Sequence, residues 1–442
     1  MIGTTRTGSK RLLRDLNRSI VLNVITDQGP LSRTEVAGRS GLPAATITRI
    51  VGDFVAAGLV RETPAEESSG GRRPILLTIN AAAGYVVGVK LREDGLTVAI
   101  CDLDCAVVGH CEAELPPDPQ PYQAVEAIAA SIDRCLGEAH IPRASILGVG
   151  VGLSGLIDSA HGYCRYSAIL NWRDVELGPS LEYRLRLPVR VDNDVNTLVV
   201  AERQFGVGRG APDFLLVTVG RGIGLAMVLG GEIYRGAHGW AGEFGHMTVD
   251  TAPDAPRCNC GKSGCLEAVA SDYGILFAAT GADPGHRVEG EMAALVARAQ
   301  GGEDAVARIF ARAGTALGVA IANLINIFDP AMVLIGGEGL RAGDLLLGPL
   351  RAALPGHVFG GSGTEPPEGA TRLVLHTTTD VEWARGAASL VLRELFRAPL
   401  YETGLPLAID DLLARARPGN GRPPNRVRSS LDARTPAGGR PW

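Results

Sequence analysis

One histidine and three cysteines stand close together in the 442-residue sequence: His246, Cys258, Cys260 and Cys265. One imidazole and three thiolates are a ligand set for a tetrahedral structural Zn²⁺. Two glycines in the run Cys-x-Cys-Gly-x-x-Gly-Cys allow a tight loop that turns the three sulfurs toward one point. We predict one structural zinc per chain. Because four protein ligands leave no position open for water, this metal would brace a loop and would not take part in catalysis.

Carboxylates adjoin this cluster and occur at a second place. Glu243 begins the run Glu-Phe-Gly-His, and Glu267 follows the last cysteine by two residues. On a metal-braced loop these side chains could accept hydrogen bonds from sugar hydroxyls, although solvated surface carboxylates would give the same pattern. Asp194 lies in the run Asp-Asn-Asp-Val-Asn at a strand-to-helix junction. It could act as a general base on a hydroxyl, or it could cap the helix.

The first 80 residues predict three short helices followed by two strands around a polar loop, which is the plan of a winged helix-turn-helix. In that plan the third helix enters the major groove, and a basic wing tip can reach the minor groove. The residues predicted to contact DNA are Ala44, Ala45, Thr46, Thr48 and Arg49 on the helix and Arg72 and Arg73 on the wing. A three-helix interaction module without a nucleic-acid role is the alternative.

Charge is distributed unevenly along the chain. The formal net charge is -5, yet residues 1–75 hold 11 Lys and Arg against 7 Asp and Glu, and residues 401–442 hold 7 against 4. A basic head can face the phosphates of DNA, although a few arginines also solvate any small domain. The Arg, Pro and Gly content after residue 401 predicts a disordered tail.

From residue 83 onward, strand-like and helix-like segments alternate, which predicts an α/β architecture. The alternation runs twice, each time led by a hairpin, and therefore predicts two lobes of a duplicated fold with a cleft between them. The predicted domains are a winged helix-turn-helix over residues 1–80, a two-lobed domain over residues 81–400 and the tail over residues 401–442.

Neither a membrane span nor a secretory signal is expected. A span needs about 18 apolar residues, and Asn323 and Asn326 interrupt the stretch Ala316 to Ile327. The basic amino terminus has no apolar segment behind it. We expect a cytoplasmic protein without a membrane partner, in which the other cysteines are core thiols. Those cysteines are Cys101, Cys105, Cys111, Cys135 and Cys164.

Taken together, the zinc loop, the Glu-Phe-Gly-His run, the Asn-Asp-x-Asn run and the winged helix resemble the ROK family of bacterial repressors and sugar kinases. The resemblance covers residues 10–400 and implies an actin-like ATPase fold behind a DNA-binding extension, as in the N-acetylglucosamine and xylose repressors. It implies that Asp194 corresponds to the base of the kinases and that His246 joins the zinc as well as the sugar. The sugar contacts it implies are Asn193, Asp194, Glu243, His246 and Glu267.

Departures from the kinase pattern bear on activity. Kinases of this family open with Asp-x-Gly-Gly-Thr, whose glycines let backbone amides approach ATP. The corresponding positions here are Lys90, Leu91, Arg92, Glu93 and Asp94. A second glycine turn, Gly220 to Gly224, is kept, but it has Arg221 where the kinases have Thr. We therefore predict a degenerate nucleotide site and no enzyme activity.

The sequence favours a regulator, most simply a repressor, that binds operator DNA as a homodimer or homotetramer and a sugar or sugar derivative in its cleft. A sugar kinase with a DNA-binding appendage is the alternative of a different class. A regulator that answers to a protein partner, or to no ligand, also remains open.

Overall fold

The computed structural model describes residues 10–65, 73–282, 288–360, 370–376 and 378–396. These residues form two compact units. Unit 1 contains the described residues up to Val207 together with those from Asp380 onward, and unit 2 contains those from Gly208 to Thr379. The predicted tail, residues 401–442, and Arg72 of the predicted wing tip lie outside the described residues.

Unit 1 begins with a winged helix, as predicted. Its elements are α1 (Lys10–Gln28), β1 (Leu31–Ser32), α2 (Arg33–Ser40), α3 (Ala44–Ala56), β2 (Val60–Pro64) and β3 (Ile75–Ile79). The three strands form an antiparallel sheet in the order β1-β3-β2. Ser32 and Glu35 form a capping box at the start of α2, and Gly41 ends that helix in the left-handed conformation, at φ 68°.

Apolar side chains at helical spacing pack the three helices together. The buried apolar residues of α1 and α3 are Val21, Leu22, Ile25, Ile47, Ile50, Val51 and Phe54. Arg18 of α1 also donates to Asp53 of α3 at 2.9 Å. This core fixes the angle at which α3 leaves the turn that follows Gly41.

An α/β lobe follows the winged helix. Its elements are β4 (Tyr85–Leu91), β5 (Gly95–Cys101), β6 (Val107–Glu114), α4 (Pro121–Glu138), β7 (Ile146–Leu153), β8 (Leu156–Asp158), β9 (Tyr163–Ser167), β10 (Trp172–Val175), α5 (Leu177–Leu185), β11 (Val189–Asn193) and α6 (Asp194–Phe205). The main sheet has the order β11-β7-β4-β5-β6, and β8 to β10 form a small antiparallel sheet. The chain returns to this unit in α12 (Asp380–Phe396).

Two hydrophobic clusters cover the main sheet. Because side chains alternate along a strand, Val87 and Val89 of β4 belong to the cluster that contains residues of α4 and α5, whereas Val86 belongs to another cluster. That second cluster joins residues of α12 and the buried residues of the winged helix. The predicted boundary between residues 80 and 81 therefore separates two parts that share one apolar core.

Helix α12 lies directly against the backbone of the sheet. A methyl group placed on Gly88 of β4 would lie 1.8 Å from the carbonyl oxygen of Ala384, and one on Gly150 of β7 would lie 1.8 Å from that of Ala387. Gly386 of α12 in turn approaches Leu198 of α6, where an added methyl would be 3.1 Å from the backbone. Only glycine permits this spacing at positions 88 and 150.

Unit 2 repeats the architecture of the first lobe. Its elements are β12 (Phe214–Val219), β13 (Ile223–Leu229), β14 (Glu232–Ile233), α7 (Leu266–Ala270), α8 (Asp272–Thr280), α9 (Val288–Gln300), α10 (Asp304–Phe328), β15 (Met332–Gly336), α11 (Asp344–Ala353) and β16 (Arg372–Leu375). Its sheet has the order β14-β13-β12-β15-β16. Counted along the chain within each five-stranded sheet, both sheets have the order 3-2-1-4-5, so the predicted duplication is confirmed.

The apolar stretch that contains Asn323 and Asn326 is part of a long helix. The stretch Ala316 to Ile327 belongs to α10, which runs over 25 residues, and Asn323 and Asn326 lie on its exposed face. By length and composition α10 could cross a membrane, but half of its most apolar window is buried inside the protein. Its buried residues, Phe310 and Leu317 among them, belong to the core of unit 2, as is typical of a core helix.

The five scattered cysteines are free and buried, as predicted. Cys101 and Cys105 belong to the cluster shared with α12, and Cys111, Cys135 and Cys164 belong to the cluster on the other face. They therefore contribute to packing as small apolar side chains.

We expect Gly88→Ala to destabilise the protein by about 3 kcal/mol or more, because the new methyl group would collide with backbone and α12 would have to move. Gly137→Ala is the matched control in the same unit, since an added methyl in α4 meets nothing within 4 Å and alanine favours helix by up to about 1 kcal/mol. Chemical unfolding of the two variants measures the difference. Equal stability would show that α12 does not pack as described.

Candidate functional site

Helix α3 presents a small, polar face to solvent at its amino-terminal end. Ala44, Ala45, Thr48 and Arg49 are exposed and Thr46 is partly exposed, whereas Ile47 is buried in the core. The Thr48 hydroxyl donates to the carbonyl oxygen of Ala44 at 2.9 Å, so its oxygen remains able to accept. Arg73, at the edge of the described wing, is exposed. The predicted DNA-contacting residues that the structure describes therefore lie on the accessible side of the winged helix.

Asn193 and Asp194 lie at the junction of β11 and α6, where the sequence predicted them. The Asn193 side chain caps α6: its oxygen accepts from the amide of Val195 at 2.9 Å, and its nitrogen donates to the carbonyl oxygen of Gly155 at 3.1 Å. Nearby, the Asn196 amide donates to Asp192 at 3.2 Å. The polar side chains of the run Asp-Asn-Asp-Val-Asn thus stabilise the local backbone at the junction of β11 and α6. Asn193 keeps one amide hydrogen and one oxygen lone pair that could bind a ligand.

Asp194 is held in a buried ion pair with Lys90. The Lys90 ammonium donates to one carboxylate oxygen of Asp194, the other oxygen accepts from the amide of Val195 at 2.9 Å, and both residues are less than 10% exposed. The ammonium also lies 4.4 Å from the centre of the Trp383 ring of α12. A general base must be free to accept the proton of a substrate hydroxyl, and here the carboxylate already has a full positive charge beside it.

Neighbouring charges of the degenerate loop are also paired. Arg92 donates to Asp380 of α12 at 2.6 Å and to Asp94 at 3.3 Å, and Glu93 is buried. The sequence indicated that Lys90 would disturb a nucleotide site. It did not reveal that Lys90 neutralises Asp194, a residue 104 positions away, or that Trp383 completes the environment of the ammonium.

In unit 2, the predicted metal ligands come together. One ligand atom from each of His246, Cys258, Cys260 and Cys265 lies within 4.8 Å of the others. The Cys258 sulfur is 3.5 Å from His246 Nδ1, and the Cys260 and Cys265 sulfurs are 3.7 Å apart. Sulfurs of a tetrahedral zinc site, each about 2.3 Å from the metal, are about 3.8 Å apart. The donor set and its spacing therefore fit a zinc ion.

Local backbone explains how the loop brings these groups together. Gly261 and Gly264 have positive φ, at 93° and 71°, and a methyl on Gly264 would lie 1.7 Å from the carbonyl oxygen of Asp250. Burial raises the pKa of the Cys258 and Cys265 thiols and so favours their protonated forms. A zinc ion would displace those protons.

The two predicted sugar-binding carboxylates adjoin the ligand cluster. Glu243 is about half exposed, and its Oε2 is 3.7 Å from His246 Nε2, the imidazole nitrogen that faces away from Cys258. Partial burial raises the pKa of the Glu243 carboxyl, and the neighbouring Glu267 carboxylate raises it further. Glu267 Oε1 is 3.8 Å from the Cys258 sulfur, and its Oε2 accepts from the amide of Ile223 at 3.1 Å. A metal at this cluster would therefore fix both carboxylates through their contacts with its ligands.

A winged helix joined to a duplicated α/β domain of this sheet order defines a class of DNA-binding proteins built on a sugar-kinase fold. The ROK family matches residues 86–394, and a winged helix-turn-helix DNA-binding family matches residues 14–61. The chain belongs to the ROK family, in the branch of transcriptional regulators.

Among its relatives, the putative xylose repressor of Caldicellulosiruptor sp. (strain Rt8B.4) is 31% identical over 354 residues, which cover 78% of this chain and 88% of that protein. The N-acetylglucosamine repressor of Escherichia coli O157:H7 is 29% identical over 412 residues, which cover 90% of this chain and 98% of that protein. Both alignments extend well beyond the winged helix.

Solved structures agree with this assignment. A ROK family transcriptional regulator, described as a homologue of the E. coli MLC protein, is 25% identical and superposes with a TM-score of 0.74, covering 91% of this chain and all of that chain. A ROK family glucokinase from Streptomyces griseus, in complex with glucose and AMPPNP, is 27% identical with a TM-score of 0.58, covering 70% of this chain and 99% of that chain. The regulator therefore matches more of this chain than the kinase does.

For the metal cluster, we expect about one zinc per chain in freshly purified protein. Cys260→Ser should lower the zinc content strongly, because an alcohol is a poor substitute for a thiolate. Ser263→Ala on the same loop is the matched control and should keep its zinc. Elemental analysis of the three proteins measures this, and a wild-type protein without zinc would exclude the site.

For the ion pair, we expect Lys90→Met to lower the free energy of unfolding by about 3–5 kcal/mol, because it leaves the Asp194 carboxylate buried without its counter-ion. Adding Asp194→Asn should recover much of that loss, since both charges are then gone. Arg298→Met is the control: it removes an exposed arginine that pairs with Glu303 at 2.7 Å and should cost less than about 1 kcal/mol. A double variant no more stable than Lys90→Met would contradict this account.

Proposed function

We propose that the chain is a cytoplasmic, sugar-responsive transcriptional repressor that binds operator DNA through its winged helix and an effector sugar through its ROK domain. The observation that carries the proposal is the buried pair of Lys90 with Asp194. It places a cation against the carboxylate that would serve as the base of a kinase, in a chain that also carries a DNA-binding domain. The names of the relatives, xylose repressor and N-acetylglucosamine repressor, support the sugar as effector class.

The winged helix supports binding in the major groove. Small residues at positions 44 and 45 let the backbone of α3 approach the bases, the hydroxyls of Thr46 and Thr48 can take part in hydrogen bonds, and Arg49 can reach a guanine or a phosphate. Arg73, with Arg72 beyond the described residues, would contact the backbone or minor groove from the wing. Because operators are usually symmetric, a homodimer or homotetramer would supply two such helices at half-site spacing.

Each unit by itself offers fixed hydrogen-bonding groups for sugar hydroxyls. In unit 2 these are Glu243, Glu267 and His246, which we propose a structural zinc holds in place through the ligand cluster. In unit 1 they are the remaining amide capacity of Asn193 and the carboxylate of Asp194. The Lys90 ammonium offsets the charge of the Asp194 carboxylate, which could then accept a hydrogen bond from a sugar hydroxyl without removing its proton.

A sugar kinase with a DNA-binding appendage is the alternative function. Two contacts argue against it, because Lys90 neutralises Asp194 and Arg92 is tied to Asp94 and Asp380. In both contacts, charged side chains of residues 90–94 are already paired with groups of the same chain. A magnesium-ATP complex would have to displace them before it could bind there.

An operator-binding titration with a panel of hexoses, pentoses and amino sugars tests the function. We expect binding to weaken steeply with salt, because phosphate contacts release counterions, and we expect one sugar class to change operator affinity. A chain that binds no operator, or that phosphorylates a sugar with ATP at enzymatic rates, would exclude the proposal.

We expect Glu243→Ala to bind operator normally but to need about 5- to 150-fold more sugar for the same response, because an unpaired sugar hydroxyl costs about 1–3 kcal/mol. Glu303→Ala, which removes an exposed carboxylate of unit 2, is the control and should respond as the wild type. If Glu243→Ala kept wild-type sugar sensitivity, the effector would bind elsewhere.

A further inference from the structure

The glycine turn of unit 2 joins β12 to β13, and the sequence suggested that it had kept the form of a phosphate-binding turn. Within the turn, the amide of Gly220 donates to the carbonyl oxygen of Gly222 at 3.0 Å. Glycine turns bind phosphates when successive backbone amides point outward and no side chain blocks the approach. Whether this turn can bind a phosphate therefore depends on which groups accept hydrogen bonds from its other backbone amides.

One of those amides is already taken by a carboxylate of the same chain. The amide of Arg221 donates to Glu338 Oε1 at 3.3 Å. A methyl group on Gly220 would lie 2.4 Å from the carboxyl carbon of Glu338 and 2.5 and 2.8 Å from its two oxygens. The Glu338 carboxylate thus fills the space that glycine leaves open at position 220.

The path of the backbone places Glu338 there. Strand β15 pairs in parallel with β12, with Gly336 opposite Thr218. Gly337 then turns with a φ of 97° and comes so close to β12 that a methyl on it would lie 2.3 Å from the carbonyl oxygen of Val219. Glu338 is the next residue and begins a 3₁₀ helix, Glu338–Ala342. The carboxylate therefore sits beside the turn because of the sheet register.

A second carboxylate holds the other side of the turn. Glu267 Oε2 accepts from the amide of Ile223 at 3.1 Å, and a methyl on Gly222 would lie 2.9 Å from that oxygen. The backbone amide of buried Asp272 donates to the carbonyl oxygen of Gly220 at 2.8 Å, while its side chain pairs with Arg341. Two amides that could bind a phosphate thus bind Glu338 and Glu267.

We propose that Glu338 is a specificity-determining residue that occupies the anion-binding position of this turn and excludes phosphate-bearing ligands from it. Its charge repels a phosphate, and its bulk covers the amide that a phosphate would use. Glu338 is exposed, so it stands where an incoming ligand would arrive. With Glu267 oriented by the same turn, unit 2 selects uncharged sugars over nucleotides. This last step rests on the proposed sugar response, whereas the exclusion of phosphate does not.

Calorimetric titration of the full-length protein with pyrophosphate, and separately with magnesium and AMPPNP, tests the inference. We expect wild-type binding too weak to measure, and pyrophosphate binding by Glu338→Ala at least about tenfold tighter than the detection limit, equal to about 1.4 kcal/mol. Glu338→Gln, which keeps the shape and removes the charge, should show a smaller gain. A gain with pyrophosphate alone would mean that only the phosphate position has opened, and a gain with both would mean that the nucleotide fits as well; either result supports the proposal.

Glu303→Ala controls for net charge, because it removes one exposed carboxylate elsewhere in unit 2. The proposal is overturned if the wild type binds pyrophosphate as tightly as Glu338→Ala, if neither Glu338 variant gains affinity, or if Glu303→Ala gains as much. The operator titration is run on the same preparations. If the wild type shows no sugar response, the proposed function is wrong while the pyrophosphate result still stands. The two failures are therefore distinguishable.

Discussion

The packing of α12 on the backbone of β4 and β7 is the contact on which unit 1 depends. The chain leaves this unit at Val207 and returns to it at Asp380, so the covering helix of the sheet is its last described element. Contact at Gly88 and Gly150 brings α12 close enough for Trp383 to reach Lys90, which lies on the same face of β4 as Gly88. A lysine ammonium on that buried face needs a counter-ion, and Asp194 at the start of α6 supplies it. The glycine contacts and the ion pair are therefore two parts of one arrangement.

In both units, charged side chains of the protein occupy groups that a ligand could otherwise bind. In unit 1, the Lys90 ammonium pairs with the buried Asp194 carboxylate. In unit 2, Glu338 and Glu267 accept hydrogen bonds from amides of the glycine turn. A fold that binds nucleotides can lose that ability while its backbone stays nearly unchanged, because internal side chains satisfy the groups that the phosphates would have bound. This explains how the fold can match a glucokinase while the chain belongs to the regulators.

The parts that could be predicted from the sequence are those set by local spacing. The capping box of Ser32 with Glu35, the metal cluster and most strands of both sheets depend on residues near each other in the chain. The role of Lys90 could not be predicted, because its partners Asp194 and Trp383 are brought to it only by the fold. Asn323 and Asn326 interrupt the apolar stretch but not the helix, since a polar pair three residues apart is typical of the exposed face of a long helix.

The glycines illustrate the same limit. Gly220 and Gly222 stand in a motif that predicts close approach of a backbone to a ligand, and in the structure the close approach is made by carboxylates of the same chain. Gly88 gave no such signal, yet an added methyl there would lie 1.8 Å from backbone, closer than one on Gly220 or Gly222 would lie to its neighbour. A glycine reports that something comes close to the backbone, but the sequence does not say whether the neighbour is a ligand, a side chain or a helix.

The position of α12 also constrains how effector binding could change the affinity for operator DNA. Its residues Val391, Leu392 and Leu395 belong to the same apolar cluster as Val21 and Leu22 of α1. The winged helix is thus packed onto the lobe by a shared core and is not attached to it by a linker alone. Separating them would expose apolar side chains at a cost of about 25 cal/mol per Å². A coupling of about 1–3 kcal/mol between effector and operator corresponds at that rate to about 40–120 Å² of exposed apolar surface. Helix α3 and the lobe belong to one compact body, unit 1, so a displacement of the lobe carries α3 with it.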